Sequence, residues 1–448
     1  MPKTPNNRLR NLLEEAGWNG AQLAAAIRRV AAEHGQQLGC DRSMVSRWLS
    51  GTSPRPPVPV FLLEALSRRL LRTVTAMDAG LSRVPSVMLD LSWEADPLRR
   101  LSALTSAEFD PTRRHLLGIG AYSLAALYVP EPGSDESRLP PSRPRRQADL
   151  RVGQGEVDQM HTMANAFAEV AEVHGGGHVR SALAGYLHRD VTTYLHAPAT
   201  DTTHRRLLLG AAQLALLLGT MCASDDADAL AQHYHRTAAR LALDAEDAST
   251  FAIALRTMSA HAHELGHRTP AVLSLAERAT DATRRAPSII RAYTQAHLAV
   301  VQAHHDKHGA VAALATAERL HDRAETVPGP FTNYSPGALH YQRSQTLAAL
   351  GDAPGAISAL TASFRLRTSA ERHARTITQA RLAEALLTQG HLDAALVHWQ
   401  ALVNVYPSLH SSRVTKRLDA MCELLRPHHR HRIATHILSQ AAALRRSI

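Results

Sequence analysis

The sequence predicts an all-α protein, with a small helical bundle at the amino end followed by an array of helical hairpins. Three observations lead there. Apolar residues recur at i, i+3 and i+4 along most of the chain, and no stretch alternates apolar with polar as a half-buried strand would. A ten-residue pattern returns four times in the C-terminal half, starting at Gly266, His305, Gly351 and Gly390, which lie 39, 46 and 39 residues apart. A Pro/Ser/Arg-rich block from Glu131 to Asp149, with almost no apolar residues, separates the two parts and reads as a disordered linker. With 448 residues, 45% of them hydrophobic and 20% charged, the chain has enough material for about three globular domains.

The elements follow in order. Leu9, Leu12, Leu13 and Ala16 mark a first helix, ended by Gly17. Asn19 caps a second, whose apolar stripe is Leu23, Ala24, Ile27, Val30 and Ala31. Gly35 and Gly39 break the chain. Asp41 caps a short third helix, Arg42–Ser50, which turns Val45, Trp48 and Leu49 inward and Arg42, Ser43, Ser46 and Arg47 outward. Gly51 stops it and Pro54–Pro59 cannot continue it. Phe61, Leu62, Leu63, Leu66 and Leu70 outline a fourth helix. We read residues 1–72 as one unit, 73–150 as a helical connector with a Pro/Arg-rich linker, and 151–448 as the hairpin array with capping helices.

The charge points to a partner. The 50 Lys/Arg and 40 Asp/Glu leave a net charge of +10, and only Lys3, Lys307 and Lys416 are lysines. Residues 1–72 carry 11 basic and 5 acidic side chains, so more than half of the excess sits in the first sixth of the chain. Arginine forks suit phosphates and guanine edges, as expected of a nucleic-acid-facing head on a nearly neutral body. Aromatic residues, at 4%, are too sparse for a single-strand stacking platform.

A short capped helix with an Arg/Ser/Ser/Arg outer face is what major-groove reading requires. Val45-Ser46-x-Trp48-x-x-Gly51, followed by a Pro-rich turn, resembles the recognition-helix signature of Cro/C1-type (XRE-like) helix-turn-helix repressors. Leu23-Ala24 is similar to that family's first motif helix. About 11 additional residues, around Arg29–Gly39, imply a lengthened first motif helix. The resemblance implies base contacts from Arg42, Ser43, Ser46 and Arg47, with Arg47 placed for guanine. It implies phosphate contacts from Asn19, Gln22 and Arg55. It also implies double-stranded DNA as partner and a homodimer on a pseudo-palindromic site.

Each repeat copy reads as a helix–helix corner, with a small or polar break, an Ala five positions on and a large apolar residue four further. Leu382, Leu386, Gly390, Leu392, Ala395, Trp399 and Pro407 resemble the tetratricopeptide pattern, and Asp226, Ala231, Tyr234 and Ala238 an earlier, weaker copy. The resemblance implies a tetratricopeptide-like α-solenoid of about five hairpins over residues 205–410. Head and body together resemble a group of actinobacterial transcriptional regulators, in which Phe109–Leu117 and Gly175–Gly177 before Tyr186-Leu187 also recur. In such stacks the first helix of each pair lines a groove, here offering Arg256, His263, Glu264, Gln295, Gln302, Tyr341, Gln345 and Glu384 to a small molecule, a peptide or a protein. Peptide-pheromone receptors of similar build clamp peptides with asparagines. Only Asn165, Asn333 and Asn404 follow residue 150, which counts against a peptide.

Other classes find little support. Phosphate-cradling, zinc-protease and dinucleotide-binding motifs are missing, so no catalytic residue, enzymatic activity or cofactor is expected. Gly175–Gly177 reads as a flexible break between helices. Among 27 histidines, those at 304, 305 and 308 come nearest a ligand spacing, and no metal site is expected. Cys40, Cys222 and Cys422 are too few for a disulfide framework. No apolar core follows Met1, no run of about 18 apolar residues suggests a membrane span, and the Arg113-Arg114 pair lies too deep to be an export signal. The expected setting is the cytoplasm. The rival reading is an interaction scaffold with a non-functional DNA-binding head.

Overall fold

The computed structural model describes residues 4–33, 36–55, 57–70, 72, 74, 76, 78–81, 93, 95–109, 122–130, 151–325, 331 and 334–446. The expected linker at 131–149 and most of the Phe109–Leu117 motif lie outside them. Among the described residues every regular element is helical. The chain divides into two compact units, residues 1–142 with 228–233, and residues 143–227 with 234–448.

The first unit opens with α1 (Asn7–Ala16), α2 (Gly20–Glu33), α3 (Arg42–Leu49) and α4 (Val58–Leu70), and α5 (Pro97–Phe109) follows. The sequence stripes converge as expected. Leu9, Leu23, Ile27, Val45, Leu62 and Leu66 are wholly buried in one core, sealed by Trp48 and Phe61. Fully burying each large aliphatic side chain contributes about 1.5–3 kcal/mol, which offsets the ordering of these short helices. Val74 and Ala79 are buried in the same core and Leu81 packs on it, so the unit runs past the expected boundary at 72. Asn6 is the physical reason. Its carboxamide oxygen caps α1 at Leu9 N (3.0 Å), while its Nδ2 donates to the carbonyls of Ala79 (2.8 Å) and Gly80 (3.3 Å).

The second unit holds α6 (Gln154–His174), α7 (Arg180–Tyr186), a π-helical turn over Leu187–Val191, α8 (Thr192–His196) and α9 (Asp201–Ser224). Helix α10 (Asp228–Asp244) follows. Four hairpins come next: α11 (Ala248–Glu264) with α12 (Pro270–Ala282), α13 (Ser288–Gln302) with α14 (Lys307–Asp322), α15 (Pro336–Leu350) with α16 (Ala353–Leu366), and α17 (Arg372–Thr388) with α18 (Leu392–Val405). Helices α19 (Ser412–Leu425) and α20 (Arg432–Arg446) cap the array. The result is a small helical bundle followed by a solenoid-like helical array, as the sequence predicts. Helix α9 is long and apolar enough to cross a membrane, but 78% of its most apolar stretch is buried inside the protein.

The repeat corners behave as read in three copies of four. Ala310 with Leu314, Ala356 with Leu360 and Ala395 with Trp399 are buried pairs at the hairpin contacts. In the first copy the large residue Leu275 is buried where the alignment places it, but Ala271 is only half-buried and Val272 is buried beside it. Ala271 falls in the first turn of α12, which starts only at Pro270 after a five-residue connection.

Gly175–Gly177 corrects the sequence reading, since it is a tight clasp rather than a flexible break. Gly177 N–H donates to His410 O (3.3 Å) and His410 N–H donates to His174 O (2.8 Å). Gly175 has φ +88° and ψ 156°, and a Cβ there would lie 2.4 Å from His410 O. Only glycine combines that conformation with that approach. Further along, the N–H of Ala374 donates to Glu172 Oε1 (3.1 Å) across 202 residues. The start of the second unit is therefore fastened to its end.

Candidate nucleic-acid interface and inner groove

The third helix is built from its cap upward. Asp41, in extended conformation, accepts Met44 N–H (2.8 Å) and the Ser43 hydroxyl (2.8 Å). Those bonds, the Met44 amide first, hold the Asp41 carboxyl below its usual range. Val45 and Trp48 are buried and fix the helix rotation, which leaves Arg42, Ser43, Ser46 and Arg47 exposed. At the far end Gly51 turns the chain, and Asn6 N–H donates to Leu49 O (2.9 Å). Gly20 of α2 lies against Val45 of α3, where a Cβ would sit 3.4 Å from Val45 Cγ1, an ordinary contact that leaves little room for a larger side chain. The sequence reading missed both Asn6 and Gly20. A polar residue immediately before a helix, three before the first core leucine, was the available signal for Asn6, and nothing local marks Gly20.

The expected phosphate residues occupy consistent places. Asn19 and Gln22 form a reciprocal cap, in which Asn19 Oδ1 accepts Gln22 N–H (3.0 Å) and Gln22 Oε1 accepts Asn19 N–H (2.8 Å). Their carbonyl oxygens face inward to the backbone, so their amide NH2 groups are the donors left for a partner. Arg55 is exposed at the turn before α4. Helix α2 reaches Glu33, and ahead of α3 the Cys40 carbonyl accepts from Arg28 Nη1.

The arginines of the bundle divide into two sets. Arg68 pairs with Glu33 (2.5 Å) and Glu64 (2.7 Å), Arg72 with Glu15 (2.7 Å), and Arg69 donates to Ala16 O (2.8 Å). Arg42, Arg47 and Arg55, like Arg10 on α1 and Arg28 and Arg29 on α2, are exposed and form no ion pair among the described residues. The internal pairs hold helix to helix, and Arg42, Arg47 and Arg55 leave their charge directed outward around α3.

The groove candidates of the second unit are not one surface. Arg256 is half-buried with its guanidinium 3.9 Å over the Tyr293 ring. His263 is buried, its ring 5.2 Å from that of His304, and burial pushes it down to about 4. Gln295, Gln302 and Gln345 are half-buried. Glu264, Tyr341 and Glu384 do come together, but helix α19 meets them there. Arg413 pairs with Glu264 (2.6 Å), Arg417 with Glu384 (3.1 Å) and Lys416 with Asp226 (2.6 Å). Positions i, i+3 and i+4 of one basic helix face thus meet carboxylates from three separate segments. The sequence reading treated Glu264 and Glu384 as open to a ligand, and the chain's own α19 engages both. No sequence signal identified that partner, since 149 residues separate Arg413 from Glu264.

Beside these pairs lies a cavity of about 290 Å³, lined by residues of α6, α9, α15, α17 and α19. Among the described residues no three His, Cys, Asp or Glu side chains gather as metal ligands, and Cys40, Cys222 and Cys422 are buried.

Residues 9–82 match the SP15 N-terminal domain family. That span runs from the first core leucine of α1 to just beyond the last packed residue, Leu81, so it coincides with the bundle as its core defines it. A comparison with curated proteins finds no match.

Proposed function

We propose that this chain is a sequence-specific DNA-binding regulator of transcription, with an XRE-like helix-turn-helix head and a tetratricopeptide-like body that senses a small ligand or partner. One observation carries the reading: on the short helix α3 and just after it, Arg42, Arg47 and Arg55 lie exposed with no ion pair among the described residues, beside the exposed Ser43 and Ser46, while Arg68 and Arg72 are paired with carboxylates and Arg69 with a backbone carbonyl of the bundle. In this reading α3 enters the major groove. Arg47 donates a two-pronged pair of hydrogen bonds to a guanine edge, with Arg42, Ser43 and Ser46 beside it. Ser43, whose hydroxyl hydrogen is given to Asp41, acts as an acceptor. The amide groups of Asn19 and Gln22, with Arg55, hold phosphates and set the register. A head of this size needs a second copy to bind tightly, so the protein works as a homodimer in the cytoplasm, on a two-part site.

The test is enrichment of bound duplexes from a random pool by the full chain, followed by mobility-shift titration of variants on the enriched site. Arg47→Ala costs about 1–3 kcal/mol and relaxes preference at one base pair, whereas Arg55→Ala weakens all duplexes alike and lowers the salt slope by about 1. No enrichment at all, or an equal loss on random DNA for Arg47→Ala, overturns base reading by α3.

A further inference from the structure

We infer that the cavity at the clasp of the second unit is a binding site for a small organic carboxylate with an apolar body. This deepens the sensing half of the proposed function and needs nothing from the DNA-binding half. At about 290 Å³ the space is at the lower end of small-molecule sites. Part of the lining is apolar, from Ala168, Ala171, Leu217, Met221 and Ile377, and interleaved with it are the polar groups of Arg367, Arg413, His373 and Glu172.

The donors left over decide the ligand's chemistry. Arg367 is buried, and gives Nε to Thr378 Oγ1 (3.2 Å) and Nη1 to Glu371 Oε1 (2.8 Å). Arg413 gives Nη2 to Glu264 Oε1 (2.6 Å). A guanidinium has five N–H donors, so each keeps some for a guest. The hydroxyls of Thr220, Ser224 and Thr378 donate to carbonyls of their own helices and bring no further donor. His373 is held neutral, first by burial and then by the charges of Arg413 and Arg367, so the positive potential here belongs to the arginines. An anion is therefore the fitting guest, and the apolar lining requires a hydrocarbon part. Glu172 restricts the charge. It is the one carboxyl lining the cavity, burial raises its pKa, and one oxygen already accepts from Ala374 N–H. A proton taken up by Glu172 accommodates a single negative charge. A phosphate dianion would set a second negative charge beside Glu172 in the same small space and offer nothing to the apolar lining. Because Gly176 and Glu172 line the cavity and also belong to the clasp, a bound guest ties α6 to α17 and α19.

The test uses the full-length protein and octanoate as probe, with octanamide as its neutral counterpart and inorganic phosphate as the apolar-free anion, followed by calorimetric titration and thermal melting. Octanoate binds and raises the melting temperature, while octanamide and phosphate do neither. Arg413→Gln weakens octanoate at least about tenfold, the scale of losing a charge-assisted hydrogen bond. Glu264→Gln moves affinity the other way, tightening it severalfold, because it removes the carboxylate that competes for Arg413. Ile377→Trp fills the apolar part and abolishes binding, which keeps the test decisive if Arg413→Gln melts early. Equal binding of octanamide, binding of phosphate alone, or a loss of affinity in Glu264→Gln overturns the assignment. Octanoate binding without any change in affinity for the enriched DNA site supports the assignment and refutes the coupling of body to head.

Discussion

Gly175→Ala is the perturbation that most directly tests how the second unit is closed. Two penalties act together. The conformation at φ +88° and ψ 156° is close to glycine-only and costs a side-chain-bearing residue about 1–3 kcal/mol. The added Cβ would also stand 2.4 Å from the His410 carbonyl oxygen, so the 410 segment must retreat. That strains or breaks the two main-chain hydrogen bonds joining His174, Gly177 and His410, each worth about 0.5–1.5 kcal/mol net. The combined cost is about 4 kcal/mol. Gly266→Ala is the matched control. Its φ is +91°, yet nothing lies within 4 Å of its added Cβ, so only the left-handed backbone cost of about 1–2 kcal/mol applies. In a domain of 150–250 residues each kcal/mol moves the melting temperature by about 2–4 °C, and this unit is larger. The two variants should therefore separate by on the order of 5 °C in thermal melts followed by circular dichroism. Limited proteolysis should cut Gly175→Ala earlier, near residues 174–178 or 408–412. Equal melting of the two variants would refute the clasp as a source of stability.

Other outcomes follow from the same contacts. Trp48→Ala removes a buried ring from the bundle core and should cost about 3–5 kcal/mol, seen as loss of the head's cooperative melting transition with the body's transition retained. Gly20→Ala should be close to neutral because 3.4 Å to Val45 is tolerable, while Gly20→Leu should shift α2 from α3 and abolish duplex binding in mobility-shift assays before it unfolds the head. Acid should destabilise the second unit. His235, His263, His297 and His373 are kept neutral by burial, His263 and His373 down to about 4, whereas the unfolded chain takes up protons near pH 6.5. Stability is complete above about pH 6.5 and is lost as pH falls toward about 4. The slope is up to ~1.4 kcal/mol per pH unit for each histidine, and urea titrations of wild type and His263→Gln at stepped pH should resolve it. Raising the salt should weaken the exposed Lys416–Asp226 pair more than the buried Arg367–Glu371 pair, so substituting Lys416 should matter less at high ionic strength.

Local chemistry explains why so much of the helical order could be read directly. Leu9, Leu12, Leu13 and Ala16 repeat at the helical period, Gly17 ends the first helix in a left-handed turn, and Asn19 and Asp41 cap the next two, because these preferences act within a few residues. The outer face of α3 was legible for the same reason. Once Val45 and Trp48 are inward, a period of 3.6 residues turns Arg42, Ser43, Ser46 and Arg47 out. The hairpin corners were legible because small and large apolar residues recur at fixed spacing, and the half-buried Ala271 escaped because the later start of α12 at Pro270 is invisible to a gapless alignment.

Tertiary structure alone decided which distant segments meet. The amino-acid order fixed the helices, their caps and their buried stripes, since those depend on neighbours one to four places apart. It could not tell that Asn6 would reach Ala79, that Gly175 would lie against His410, or that Arg413, Lys416 and Arg417 would face Glu264, Asp226 and Glu384. Such pairings depend on the accumulated geometry of many packed helices. A polar side chain carries no local mark of whether solvent or a carboxylate 149 residues away will satisfy it.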